Sequence, residues 1–538
     1  MFPTYINSRL RVLALAAVLA PVAFSCSKDL DQSPSYLASP EVVYRDPEQI
    51  QQVLARLYAT LSVSGQNGGV DRSDLSFIPA DYANYLRAYW KMQELTSDEA
   101  IIAWGDAGLP ELNTNTWNAD NQFIRGMYEK IFFQVSGCND FLRNTTDEQL
   151  ASRGITGASA DQVRQYRAEV RFLRALSYYH ALDLFGSVPF ADETFQVGSG
   201  ALPAQISRAD LFTFIESELK AIEGSLGAPR QPGYARADQA CCWTLLTKLY
   251  LNAQVYTGTA RNTEAVTYAN KVLAPSAGYQ LSPTSRFLFL ADNNISAARN
   301  EIILPVVNDG VRTQSFGNTT FLVHASVGGS MSATEAGVNG GWYGIRAKSN
   351  LVDLFPGGAT STDTRALFYT AGQTKQINSI SSFNDGYAST KWRNVTSTGL
   401  PGSGFPPAGN GDFVDTDYPL FRLADVQLMY AEAVLRGGTG GAAGTALAQV
   451  NAVRARSNAT PLAAVSLQDI LDERGRELYW EGHRRTDLIR FGKYATGYNW
   501  PFKGGVVAGK DIEPFRTVFP LPNTDLVANP NLKQNTGY

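Results

Sequence analysis

The stretch Asp472-Glu-Arg-Gly-Arg-Glu-Leu-Tyr-Trp-Glu-Gly-His-Arg-Arg-Thr-Asp-Leu-Ile-Arg490 carries the densest charge pattern of the chain. Read as one helix over 467–494, it sets Glu473, Glu477 and Glu481 on a single stripe at i, i+4 and i+8, where like charges repel. The stripe is tolerable only if cations reach it. Arg474 and Arg485 can do so from the same helix, and Arg454 or Arg456 from the one before. Leu478, Trp480 and Leu488 interleave with the charges, so the pattern predicts a buried ion network between helices. The competing reading makes Glu477 and Glu481 the acid/base pair of a surface glycosidase. A general acid needs a raised pKa, whereas adjacent arginines hold carboxylates ionised. The structural reading is therefore preferred, and no catalysis is expected.

Working outward, apolar residues at three and four spacing predict further helices. Segments 420–435 and 444–456 precede the charged one. Segment 47–64 carries Ile50, Val53, Leu54, Leu57 and Leu61, and helices follow over 119–143 and 161–185. Ser207, with Asp210 three residues on, opens a helix striped by Leu211, Ile215, Leu219 and Ile222. Segments 236–255 and 262–273 form a pair about as long as a 34-residue helix–turn–helix repeat. Between these lie 65–118, irregular and aromatic; 274–419, rich in Gly, Ser, Asn and Thr, with a short helix at 349–355; and a proline-rich tail, 495–538. The predicted fold is mainly α. A TPR-like helix-pair scaffold (47–64, 119–273, 420–494) carries loop-rich regions (65–118, 274–419, 495–538) within one domain, 47–538.

The first residues read as an export signal. Arg9 and Arg11 precede an apolar run, 12–24, and Ala23-Phe24-Ser25 sets small residues before Cys26. The run is too short to span a bilayer, which needs roughly 20 residues. An ordinary signal peptide with a chance cysteine is the plain alternative. The small residues favour a lipoprotein signal over 1–25, with Cys26 as the lipid attachment and 26–46 as a polar tether.

Composition bounds the rest. A net charge of −4 argues against a nucleic-acid partner. Aromatics make up 11%, including 25 Tyr and 8 Trp, which suit sugar or peptide faces as well as a core. Beyond Cys26, the cysteines 138, 241 and 242 are an odd number and read as small buried hydrophobes. His180, His324 and His483 are too far apart in sequence for a metal-ligand pair. Gly504 to Lys510 spells the start of a phosphate loop, but Asp511 stands where Ser or Thr must bind Mg²⁺. Asp412, Asp415 and Asp417 are a weak Ca²⁺ candidate without EF-hand order, and no other cofactor is indicated.

The charged stretch resembles the C-terminal helix pattern of the SusD/RagB-like outer-membrane lipoproteins of Bacteroidetes. Tyr418 to Ala433, Phe172 to Tyr179 with Gly186 to Pro189, Leu95 to Glu99, and the ending from Phe519 to Tyr538 are similar to further family segments. Ser27-Lys28-Asp29 looks like the short acidic signal for the cell surface. The resemblance implies a superhelix of TPR-like pairs with a loop-rich ligand-binding half, and no catalysis. It implies an outer-membrane, surface-exposed lipoprotein that captures an oligosaccharide and hands it to a SusC-like TonB-dependent barrel, or a RagB-type protein that handles peptides. Sugar binding would use aromatic faces. Tyr89, Trp90 and Trp104, near the 95–99 match, are the first candidates; Trp342, Tyr343 and Tyr387 are the second.

Overall fold

A computed structural model describes residues 40–65, 73–80 and 82–538. The predicted export signal, Cys26 and most of the tether lie outside the described residues. The last part of the predicted tether does not behave as one. Pro40–Val43 is helical, and Tyr44 is buried against Phe141 with its hydroxyl on Asp140 Oδ2 at 2.8 Å.

The principal helices are α1 Pro47–Ala59, α2 Tyr85–Trp90, α3 Gln122–Asn144, α4 Gly157–Leu184, α5 Arg208–Ile222, α6 Gln239–Leu251, α7 Asn262–Leu273, α8 Asn318–Ala325, α9 Leu423–Leu435, α10 Ala443–Arg456, α11 Leu467–Leu478 and α12 Arg484–Arg490. Side-chain caps fix several starts. Asp46, Asn121, Ser207 and Asp238 each accept from backbone N–H groups of the first turn, and Ser466 with Asp469 forms a complete capping box. The helices pack as pairs: α3 on α4, α4 on α5, α6 on α7, then α7 on α9 and α9 on α10. This is the mainly α, TPR-like scaffold. The loop-rich half adds short antiparallel pairs, among them β1 Ala100–Ile102 with β3 Ile345–Ala347, and β2 Ile302–Val306 with β4 Tyr418–Arg422. The helix expected over 420–435 thus begins as a strand, and α2 lies in a segment expected to be irregular. Cys138, Cys241 and Cys242 are free and buried.

The charged stretch is not one helix. It stops at Leu478, turns through Trp480 and Gly482 at φ +62° and +77°, and restarts at Arg484. A Cβ at Gly482 would sit 2.8 Å from the Tyr89 ring, so both the left-handed backbone and the close approach require glycine. Glu481 therefore leaves the stripe and lies in the turn. Its partners are Arg422 Nε at 2.6 Å and Lys391 Nζ at 2.6 Å. Glu477 meets Arg422 at 2.6 Å, Arg365 at 2.9 Å, and Arg456. Glu473 meets Arg365 at 2.6 Å, Arg454 at 2.7 Å and Arg476 at 2.8 Å. Arg474 and Arg485, expected to reach the stripe from the same helix, face elsewhere. Arg474 bridges Asp425 and Asp487 at 2.8 and 2.7 Å, while Arg485 donates to the Thr517 carbonyl.

A second acidic cluster clamps the turn. Glu94 Oε1 accepts from the Gly482 N–H at 2.6 Å, and Glu99 Oε2 from the Trp480 N–H at 3.1 Å. Burial pushes the Glu94 carboxyl up to about 7, and burial with the neighbouring Glu94 pushes Glu99 well above the usual carboxylate range. Arg484 and Lys391 pull the other way.

Two outcomes follow from these charges. Arg422→Met leaves Glu477 and Glu481 short of a cation in a dry interior, so urea unfolding should show a loss of about 3–5 kcal/mol; a loss below about 1 kcal/mol would mean the network is dispensable. For the Glu94–Glu99 pair the folded value lies above the unfolded value of about 4.3. Its contribution is complete below that pH and is lost as pH rises toward 7. Unfolding free energy should therefore fall between pH 5 and 7, and Glu94→Gln should flatten that slope.

Candidate binding cleft

The pairing of β1 with β3 builds the site. Trp104 follows β1 by two residues, and Trp342 precedes β3 by three. The register Ile102↔Ile345 therefore brings together side chains 238 positions apart. The Ala103 N–H donates to the Gly344 carbonyl at 2.9 Å, and the Trp104 indole N–H donates to the Trp342 carbonyl at 2.9 Å. Gly344 is required by close approach, since a Cβ there would stand 2.8 Å from the Trp104 ring. The two indoles lie 6.3 Å apart at 48°. Trp342 is backed by His324, stacked at 4.6 Å and 18°, and meets the Phe316 edge at 5.8 Å.

These rings wall a cleft of about 450 Å³, completed by Tyr82, Arg87, Asp106 and Asp412. Asn84 caps α2 by accepting from the Arg87 N–H at 2.9 Å, which points Arg87 at the cleft. Its guanidinium lies over Phe321 at 4.4 Å, Tyr82 at 5.2 Å and Trp104 at 5.6 Å, and donates to the Phe316 carbonyl at 2.9 Å. The Tyr82 hydroxyl donates to Asp106 at 2.7 Å, and Asn339 donates to Asp412 at 2.5 Å. His324 Nδ1 and Nε2 lie 2.7 and 3.0 Å from the Gly340 and Asp412 carbonyls. Burial lowers its pKa against the pull of those carbonyls. The result is a half-open pocket with apolar faces and a few fixed donors and acceptors, the composition of a small-molecule site.

The structure brings together two of the six aromatic candidates, Trp104 and Trp342. Tyr343, next to Trp342, is 51% exposed at φ +52° and meets Phe383 edge-on. Tyr387 is half-buried beside β3, its carbonyl accepting from the Ala347 N–H at 2.7 Å. Tyr89 and Trp90 lie away from the cleft. Tyr89 packs tilted against His180 and donates to the Gly482 carbonyl, while Trp90 is fully buried and donates to the Trp480 carbonyl. Their places in α2 point them at the charged turn.

The three aspartates diverge. Asp412 is at the cleft rim, Asp415 accepts from the Gly310 N–H at 2.8 Å, and Asp417 accepts from Tyr234 at 2.7 Å. No group of three His, Cys, Asp or Glu is placed to hold a metal among the described residues. Tyr82, Arg87, Asp106 and Phe316 were not legible as site residues. Three of them fall within 25 positions of Trp104, and that crowding is the signal that could have found them.

The SusD family model matches residues 300–538. Over 577 aligned residues the chain is 35% identical to the starch-binding protein SusD of Bacteroides thetaiotaomicron, covering 98% of each. The chain belongs to the SusD family. Solved structures carry the same fold. A surface glycan-binding protein A from Bacteroides thetaiotaomicron aligns over 92% of this chain and 100% of its own, at TM-score 0.69 and 18% identity. A laminarin-binding SusD-like protein aligns over 91% and 99%, at 0.66 and 22%. Among the described residues no helix is long and apolar enough to cross a membrane.

Gly344→Ala tests how the SusD-family cleft is set. It should displace the Trp104 ring, shift the tryptophan emission spectrum, and cost about 1–3 kcal/mol by overpacking. An unchanged spectrum would mean that Trp104 is free to move.

Proposed function

We propose that the chain is a non-catalytic, cell-surface binding protein that captures oligosaccharides, α-glucans first among them, and delivers them to a SusC-like TonB-dependent barrel in the outer membrane. Cys26 is its proposed lipid anchor. The observation that carries the reading is the Trp104–Trp342 cleft. Two half-exposed indoles offer faces for the C–H surfaces of sugar rings, while Asp106, Arg87 and Asp412 stand at the rim for hydroxyls. Family membership and the name of the starch-binding relative support the ligand class.

The hydrolase reading is weak on physical grounds. Glu477 and Glu481 are buried among arginines, and Arg456, Arg422 and Arg365 hold the Glu477 carboxyl well below the usual carboxylate range against the cost of burial. A group so ionised cannot serve as a general acid.

Calorimetric titration with maltoheptaose, laminarihexaose and an unrelated hexapeptide tests the proposal. Maltoheptaose should bind with sub-millimolar affinity. Trp104→Ala and Trp342→Ala should each weaken it at least tenfold, about 1.4 kcal/mol. Binding of the peptide without any glycan, or full affinity in both variants, would overturn it.

A further inference from the structure

A second cleft, of about 510 Å³, shares no lining residue with the first. It lies between α3, the loop over 189–203 and the C-terminal segment around Asp525. Phe132, Phe133 and Leu202 give it apolar walls, and its rim is unusually bare. Phe133 is 37% exposed, Leu202 46%, and Val527, on the same short helix as Asp525, 86%. Isolated exposed apolar side chains are ordinary, but a cluster around a concave surface marks an interaction site.

Two further observations give the cleft a chemistry. The hydroxyl of Tyr128, a side chain only 2% exposed, has no hydrogen-bond partner among the described residues although it lines the cleft. An orphan buried hydroxyl of this kind calls for a partner. Asp525 and Glu129 also line it. Glu129 pairs with Arg125 one helical turn away, at 2.6 Å and partly exposed. No cation forms an ion pair with Asp525 among the described residues, and burial together with Glu129 pushes its carboxyl up to about 6 despite Arg125. The cleft therefore combines apolar walls with an acidic floor on which Asp525 has no ion-pair partner among the described residues. A lysine ammonium or arginine guanidinium would meet the acidic floor, and the apolar side chains beside it would cover the rim.

We propose that this cleft docks a segment of a partner protein in which a lysine or arginine is flanked by apolar side chains. The proposal stands apart from the glycan reading, because no residue is common to the two sites.

The test is photocrosslinking of the full chain in the cells that produce it, with p-benzoylphenylalanine in place of Phe133 or Val527. Adducts are mapped by mass spectrometry. The expected result is an adduct, at one position or both, to a segment of another protein with a Lys or Arg among apolar residues. Its yield should drop at least fivefold in Asp525→Asn and in Glu129→Gln, with melting temperatures unchanged. A second copy of this chain, a lipid, a segment without a basic residue, no adduct at either position, or a yield indifferent to both variants would overturn it.

Discussion

Arg422 is the residue on which the rest of the structure turns. It ends β4 and immediately precedes α9, and its guanidinium reaches Glu301, Glu477 and Glu481 at 2.6–2.9 Å while also donating to the Glu477 carbonyl at 2.9 Å. Burying one such charge unpaired costs several kcal/mol, so the network is tolerable only when complete. Completion requires Arg365 and Lys391 from the loop-rich half, and Arg454, Arg456 and Arg476 from the scaffold. The two halves of the fold are thereby joined through charges that neither could bury alone.

From that junction a chain of aromatic contacts leads to the cleft. Trp480, held in the turn by Glu99, meets the Trp90 edge at 6.1 Å. Trp90 meets Phe321 at 5.5 Å, and Phe321 meets Trp104 at 6.0 Å. Trp480, Trp90 and Phe321 are fully buried, so the backing of Trp104 is close-packed and leaves it little freedom to relax. Preorganisation of this kind matters for sugars, whose binding must overcome the ordering of a flexible chain with weak contacts.

Much of the scaffold was legible because helical periodicity is local. Asn262–Leu273 falls where its spacing puts it, and the Ser207 cap sits on Asp210 as read. The break at Tyr479–His483 was not legible, because Glu473, Glu477 and Glu481 keep helical spacing across a backbone that leaves the helix. Only Gly482 hinted at it. Arg454 and Arg456 reach Glu473 and Glu477 from the preceding helix as read, whereas Arg365, Lys391 and Arg422 lie 55 to 112 residues from the glutamates they meet, outside any helical period, and no local rule reaches them. The same holds for the cleft. Trp104 and Trp342 could be chosen as aromatics in loops, but what brings them together is a three-residue strand pairing. Tyr89 and Trp90 looked equivalent to Trp104 by composition and differ only in the direction α2 points them.

On the proposed function, ligand is held by the aromatic cleft while the charged turn is scaffold. Hydrogen–deuterium exchange with saturating maltoheptaose tests it most directly. The structure predicts new amide protection within 82–106, around Phe316, and within 339–344 and 410–412, with none through 470–490. Protection gained at 470–490, or none at the cleft segments, would contradict it.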